Sequence, residues 1–144
     1  MAYEQLKLDN QLCFRLYTAS RLITASYTPF FKEMGITYPQ YLVLMMLWEK
    51  DNRIISEITE KLLLETNTVT PLLQRMEKEG LVVRQKSTSD SRQRIISLTP
   101  KGKELEEKIK DVPNCLAKEV IKGISPEDLQ AIVPLLDKLI AALK

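Results

Sequence analysis

Histidine is absent from this 144-residue chain, glycine occurs four times, and there are two cysteines and one tryptophan. Each scarcity excludes something. Without histidine there is no Ser-His or Cys-His nucleophilic pair and no imidazole ligand for a metal. So few glycines leave no glycine-rich loop to cradle a phosphate. Cys13 and Cys115 form no C-x-x-C pair and cannot complete a tetrahedral zinc site, so no metal or other cofactor is expected. No apolar run approaches the length of a membrane span; the longest, Tyr41 to Trp48, suits a buried helix. The opening MAYEQLKLDNQ has no signal-peptide apolar region, so a cytoplasmic protein with no membrane partner is expected. Together these absences argue against a metabolic enzyme.

What is present is an ordinary globular composition, 44% hydrophobic and 28% charged with a net charge of +2. That suffices for one core, or one domain with dimerising extensions. The most informative stretch runs from Thr66 to Thr99. Val69, Leu72, Leu73 and Met76 follow the spacing of a helix that buries one face. Its other face carries Thr68, Thr70, Gln74, Arg75 and Lys78, all donors and none acidic. Gly80 suits the left-handed residue that ends a helix, and Leu81-Val82-Val83 switches to strand composition. Arg84, Lys86, Arg92 and Arg94 flank a Ser/Asp-rich turn containing Asp90, and Ile95 to Leu98 returns. A polar helix face alone is usually just solvated, and a basic hairpin tip is often only a loop. Their adjacency, in a chain whose total charge is nearly balanced, is the local footprint of a polyanion-binding winged helix-turn-helix. The helix suits the major groove of double-stranded DNA and the wing its phosphates or minor groove.

Flanking segments read as helices. Apolar residues from Leu12 to Phe31 trace a stripe that Pro29 should interrupt, and Asp9 is the expected cap. Thr37 to Gln40 spells a capping box, and Ser56 is a candidate cap for a short helix. Pro71 requires that the following helix start near Asn67 or Thr68, leaving proline in its first turn. Thr99-Pro100 and Ser125-Pro126 open two further helices, a long one bent at Pro113 and a last one bent at Pro134. The expected fold is mainly α with a small β-hairpin wing: a single domain with residues 36–99 binding DNA. Residues 1–35 and 100–144 carry more apolar surface than such a domain needs, which fits a homodimer on a palindromic operator.

The wing, Asp90-Ser91-Arg92 through Ser97-Leu98-Thr99, resembles the D-x-R…L-T pattern of the MarR family of dimeric winged-helix regulators. LDNQLCFRLYTASR, ITYPQYLVLMMLWE and LETNTVTPLLQRMEKEGLVVR are similar, over nearly the whole chain, to its organic-hydroperoxide-resistance branch. The resemblance implies a repressor that holds a pseudo-palindromic operator when reduced and releases it when Cys13 is oxidised by an organic hydroperoxide. It implies tyrosine hydroxyls around that cysteine at Tyr17, Tyr27 and Tyr38. It also implies DNA contacts from Thr66, Thr68, Thr70 and Arg75 and a wing contact from Arg92. In some regulators of this kind a second cysteine, here Cys115, resolves the sulfenic acid across the dimer. Glu65 and Asn67 depart from the usual Asp and Gly, so operator preference does not transfer.

Residue chemistry is compatible with that role. A thiol about one turn into a helix capped by Asp9 would sit where the dipole modestly favours thiolate, and donated tyrosine hydroxyls would add to this. An accessible thiolate is oxidised by peroxide to sulfenic acid. Out of context Cys13 would be a small buried hydrophobe, and Cys115, beside Val112, Leu116 and Val120, a packed core thiol. Three rivals remain: a MarR-type repressor released by a small aromatic ligand, a thiol peroxidase using Cys13, and a structural dimerisation module whose wing is idle.

Overall fold

The computed structural model describes residues 3–144. Two short 3₁₀ turns precede α1 (Leu12–Ser26), α2 (Thr28–Met34) and α3 (Tyr38–Glu49). Next come β1 (Arg53–Ile54), α4 (Ile55–Leu62), α5 (Thr66–Lys78), β2 (Val82–Lys86), β3 (Arg94–Leu98) and α6 (Pro100–Ile109). The chain then continues through α7 (Val112–Val120) and α8 (Pro126–Leu143). It divides into two compact units, residues 1–109 and 110–144.

The first unit is built on α3. Its capping box forms as the sequence predicts: the Gln40 side chain accepts from the Thr37 N–H at 3.1 Å and the Thr37 hydroxyl from the Gln40 N–H at 3.4 Å. Val43, Leu44, Met46 and Leu47 are all buried, because α3 has neighbours on nearly every side. Helices α4 and α5 pack on it and on each other, burying Ile58, Val69, Leu73 and Met76. Three antiparallel strands close the unit in the order β1-β3-β2, with Arg84 opposite Ile96 and Val82 opposite Leu98. β1 is too short to carry a sequence signal and exists by pairing Arg53 with Ile96 and Ile54 with Ile95.

Several helix boundaries differ from expectation. The predicted long N-terminal helix is two, because the chain breaks at Tyr27, ahead of Pro29, which sits in the first turn of α2. Gln11, not Asp9, is the N-cap residue of α1, since Asp9 is taken up in a 3₁₀ turn. Ser56 lies inside α4; the Ile54 N–H at that helix's start is met instead by the Glu57 carboxylate at 3.4 Å. Helix α5 begins at Thr66, so Pro71 lies past its first turn. The missing proline N–H there leaves only one backbone bond unmade, close to the helix start. Gly80 takes the left-handed conformation, φ 79°, that stops α5. The long helix expected after the wing is likewise two, α6 and α7, with the break ahead of Pro113.

In the second unit the Ser125 hydroxyl caps α8 by accepting from the Asp128 N–H at 3.1 Å. α8 runs past Pro134 as one helix and buries none of its residues. Ile132, Val133, Leu135, Ile140 and Leu143 are exposed on it.

A tight crossing joins the wing to α6 and α3. Gly102 is buried in α6, and its carbonyl accepts from the Trp48 indole at 2.9 Å. A Cβ built there would fall 2.3 Å from the Leu81 carbonyl oxygen. In an open helix Gly→Ala would gain up to about 1 kcal/mol. Here the sign reverses: Gly102→Ala is expected to cost about 1–3 kcal/mol through backbone displacement. Urea denaturation checks this, and an unchanged or raised midpoint would show that the crossing yields freely.

Candidate nucleic-acid interface and thiol site

Helix α5 turns Val69, Leu73 and Met76 inward, so Thr66, Thr68, Gln74 and Arg75 are left exposed, with Thr70 half-buried at the edge of the packed face. The hairpin of β2 and β3 projects beside it. At its tip Arg92 is 91% exposed, and Asp90 organises the turn: its Oδ1 accepts from the Arg92 N–H at 3.0 Å and lies 3.5 Å from Nε. Arg94 donates to the Ser91 carbonyl at 3.0 Å. Thr66, Arg92 and Arg94 line one concavity of about 310 Å³ with Ser56 and Thr59, so the start of α5 and the wing tip face the same space. Lys86 is exposed on β2.

Arg84 is engaged elsewhere. Its Nε donates to Glu77 Oε1 and its backbone N–H to Glu77 Oε2, both at 3.2 Å. The side chain that the sequence groups with the DNA-facing bases is therefore clamped to the last turns of α5. Arg84 and Glu77 are seven residues apart but in different elements, across the α5–β2 turn, so no helical or strand period announced the pair. At the same end of α5, Glu79 accepts from the buried Gln40 side chain at 3.0 Å.

Cys13 is the second residue of α1 and is exposed, with its Sγ 4.0 Å from Gln11 Oε1. Tyr17 follows one turn later and is 69% exposed. Tyr27 and Tyr38 belong to a different place. Their rings lie 5.4 Å apart within a cluster that includes Phe31 and Tyr41. At about 1.5 Å rise per residue, Tyr27 lies about 21 Å along the helix axis from Cys13. Within one chain Tyr17 is the one of these tyrosines that lies within a helical turn of the thiol.

Tyr41 is the member that sequence reading missed, because it hides inside an apolar run that looked purely like core. Its ring is 4% exposed. Burial first, then the neighbouring phenols Tyr27 and Tyr38, then the hydrogen bond it donates to Tyr27 push its pKa up to about 12. Tyr27 is also raised, chiefly by burial and then by Tyr38, against the hydrogen bond from Tyr41. Cys115 sits in α7 and is exposed, so the packed core thiol expected from its apolar neighbours is not formed in this chain. No group of three or more Cys, Asp or Glu among the described residues is arranged to hold a metal.

The family model described as transcriptional regulator SarA/Rot matches residues 25–109. The chain is 45% identical over 114 residues to the organic hydroperoxide resistance transcriptional regulator of Bacillus subtilis strain 168, covering 79% of this chain and 78% of that one. It is similar to the structure of reduced AbfR bound to DNA, at 39% identity, TM-score 0.82 and full coverage of both chains. AbfR comes from Staphylococcus epidermidis. Against disulfide-formed AbfR, with 95% of both chains covered at 39% identity, the TM-score is 0.62.

The raised Tyr41 pKa has a stability consequence. The neutral phenol is favoured in the fold, so its contribution is complete below the free value of 10.0 and is lost as pH rises through about 12. Stability of the wild type should therefore fall more steeply over that alkaline interval than that of Tyr41→Phe. Denaturant midpoints across the interval check it; parallel curves would mean that Tyr41 ionises as freely as it does unfolded.

Proposed function

The chain belongs to the SarA/Rot family of transcriptional regulators, and on that footing we propose that it is a dimeric operator-binding repressor that senses organic hydroperoxides through Cys13. One observation carries the redox half. Cys13 is exposed on a helix that buries nothing, about 21 Å by helical rise from the tyrosine cluster that the chemistry calls for. A second copy of the chain removes the discrepancy, because its α1 can bring a thiol to the first copy's Tyr27 and Tyr38. The exposed Leu12, Leu22 and Ile23 supply the apolar surface for such pairing.

The sensing step is a displacement on oxygen. The Cys13 thiolate attacks the terminal peroxide oxygen, an S–O bond forms, the O–O bond breaks, and the departing alkoxide takes a proton to leave as an alcohol. Sulfur loses two electrons and the peroxide gains them. Cys115 of the partner subunit then attacks the sulfenic sulfur; an S–S bond forms and the hydroxyl leaves with a proton as water. Support for this second step comes from AbfR, which is solved in a disulfide-formed state less similar to this chain than its reduced, DNA-bound state. One oxidation per thiol suffices for a switch, so we read the protein as a sensor rather than a turnover catalyst.

The DNA half rests on α5 and the wing. Thr66, Thr68, Thr70, Gln74 and Arg75 are read as the major-groove face, and Arg92 as the side chain entering the minor groove, with Asp90 holding its turn and Arg94 and Lys86 at the phosphates. Arg84 is assigned to bracing α5 through Glu77. Action on the chromosome places the protein in the cytoplasm.

Two outcomes follow. Arg92→Ala should weaken operator binding by about 1–3 kcal/mol with the melting curve unchanged; undiminished affinity at moderate salt would remove the wing from the interface. Cys13→Ser should bind operator like wild type but no longer dissociate on organic hydroperoxide, while oxidised wild type runs as a covalent dimer on non-reducing gels and Cys115→Ser does not. Release of the Cys13→Ser protein by hydroperoxide would reject Cys13 as the sensor. A Cys115→Ser protein that still crosslinks would assign the bond to two Cys13 thiols.

A further inference from the structure

Tyr41 has no part in the sensing chemistry described above, yet it is the one buried tyrosine among the described residues. Its ring is held on several sides: Phe31 lies 5.0 Å away between ring centroids, Tyr38 5.9 Å and Trp48 6.2 Å. Trp48 is itself fastened to the Gly102 carbonyl. A ring packed in this way does not swing its hydroxyl out to water, so the hydroxyl hydrogen is given to a neighbour inside. That neighbour is Tyr27, whose ring stands 5.5 Å away. Tyr27 sits where α1 gives way to α2, and its carbonyl accepts from the Phe30 and Phe31 N–H groups at 3.1 and 3.0 Å. Its backbone is therefore fixed, while its side chain is only half-buried.

A phenol carries one hydrogen and accepts through its oxygen lone pairs. With the Tyr41 hydrogen already on the Tyr27 oxygen, the Tyr27 hydrogen cannot return along the same line. Hydroxyls linked in this head-to-tail order also polarise one another, so the terminal hydrogen is the better donor. We propose that Tyr41 is a positioning residue for the sensor: by donating to Tyr27 it turns the Tyr27 hydrogen outward, to the Cys13 thiolate of the partner subunit. The inference rests on the redox reading given above, which brings that thiol to Tyr27. A hydrogen bond donated to a charged form favours that form, so Tyr41 acts on thiolate that it does not touch. Because it keeps its proton until about pH 12, it remains a donor over the whole range in which a cysteine ionises.

The test follows the alkylation rate of Cys13 by iodoacetamide against pH in the intact, reduced protein, with the Cys13 and Cys115 peptides resolved by mass spectrometry. Wild type is compared with Tyr27→Phe, Tyr41→Phe and the double variant, in which phenylalanine keeps each ring and removes only a hydroxyl. The profile should move to higher pH by about one unit in Tyr27→Phe and about half a unit in Tyr41→Phe, with the double variant no higher than Tyr27→Phe alone. A merely structural role for Tyr41 would change the melting temperature without this dependence on Tyr27. 3-Fluorotyrosine at position 41, a stronger donor of the same shape, should move the profile to lower pH. Tyr41→Phe without a shift, shifts that add in the double variant, or a fluorotyrosine profile that stays or rises would overturn the proposal. If Tyr27→Phe shifts the profile in those cases, the thiol still meets Tyr27 and only the role of Tyr41 is wrong. If Tyr27→Phe shifts nothing, or cumene hydroperoxide does not oxidise Cys13 in wild type, the redox reading falls and this inference with it.

Discussion

The reading face depends on a backbone crossing at Gly102. The Leu81 carbonyl passes so close to α6 that no side chain fits between them, and the Trp48 indole fastens the same residue to α3. Thr99 tightens the junction: its hydroxyl donates to the Gly80 carbonyl, its N–H bonds the Leu81 carbonyl at 3.1 Å, and its oxygen accepts from the Gly102 N–H at 3.1 Å. The stop of α5, the root of β2, the end of β3 and the cap of α6 therefore meet at one point. Buried polar groups satisfied by one another in this way hold a unique arrangement, because loosening one strands the others. The angle between helix and wing is fixed here rather than at the exposed surface that uses it.

Two carboxylates extend that rigidity along α5. Glu77 grips both the backbone and the side chain of Arg84, and Glu79 is tied to Gln40, which in turn completes the Thr37 cap of α3. An exposed Arg-Glu pair contributes little by itself. The gain in this case is geometric, since the pair joins a helix to a strand.

The sequence disclosed those parts of the fold whose cause is local. Thr37 to Gln40, Thr99-Pro100 and Ser125-Pro126 are caps written in adjacent residues, and Gly80 announces its own left-handed turn. The strand-like composition that identifies β2 and β3 is similarly short-ranged. What escaped depends on partners in other elements. β1 has too few residues to show any period, and Arg84 looks like its basic neighbours until Glu77 is seen beside it. Pro71 was expected to set the start of α5, yet packing of Val69 and Leu73 carries the helix through it, tertiary contact overriding propensity. The thiol was legible as a motif, but its separation from Tyr27 and Tyr38 is a matter of helix length. Tyr41, submerged in an apolar run, gave no sign of its bond to Tyr27.

The length of α1 ties two properties that would otherwise be independent. A chain whose thiol and tyrosine cluster stand at opposite ends of one helix has no complete detector of its own, just as it has only one reading head. On the proposed reading, dilution below the association threshold would disable detection and repression together. Synthesis of fresh chains would restore both at once. No population of protein would then exist that silences its target while deaf to the oxidant, and the amount of regulator in the cell could vary without uncoupling the signal from the response.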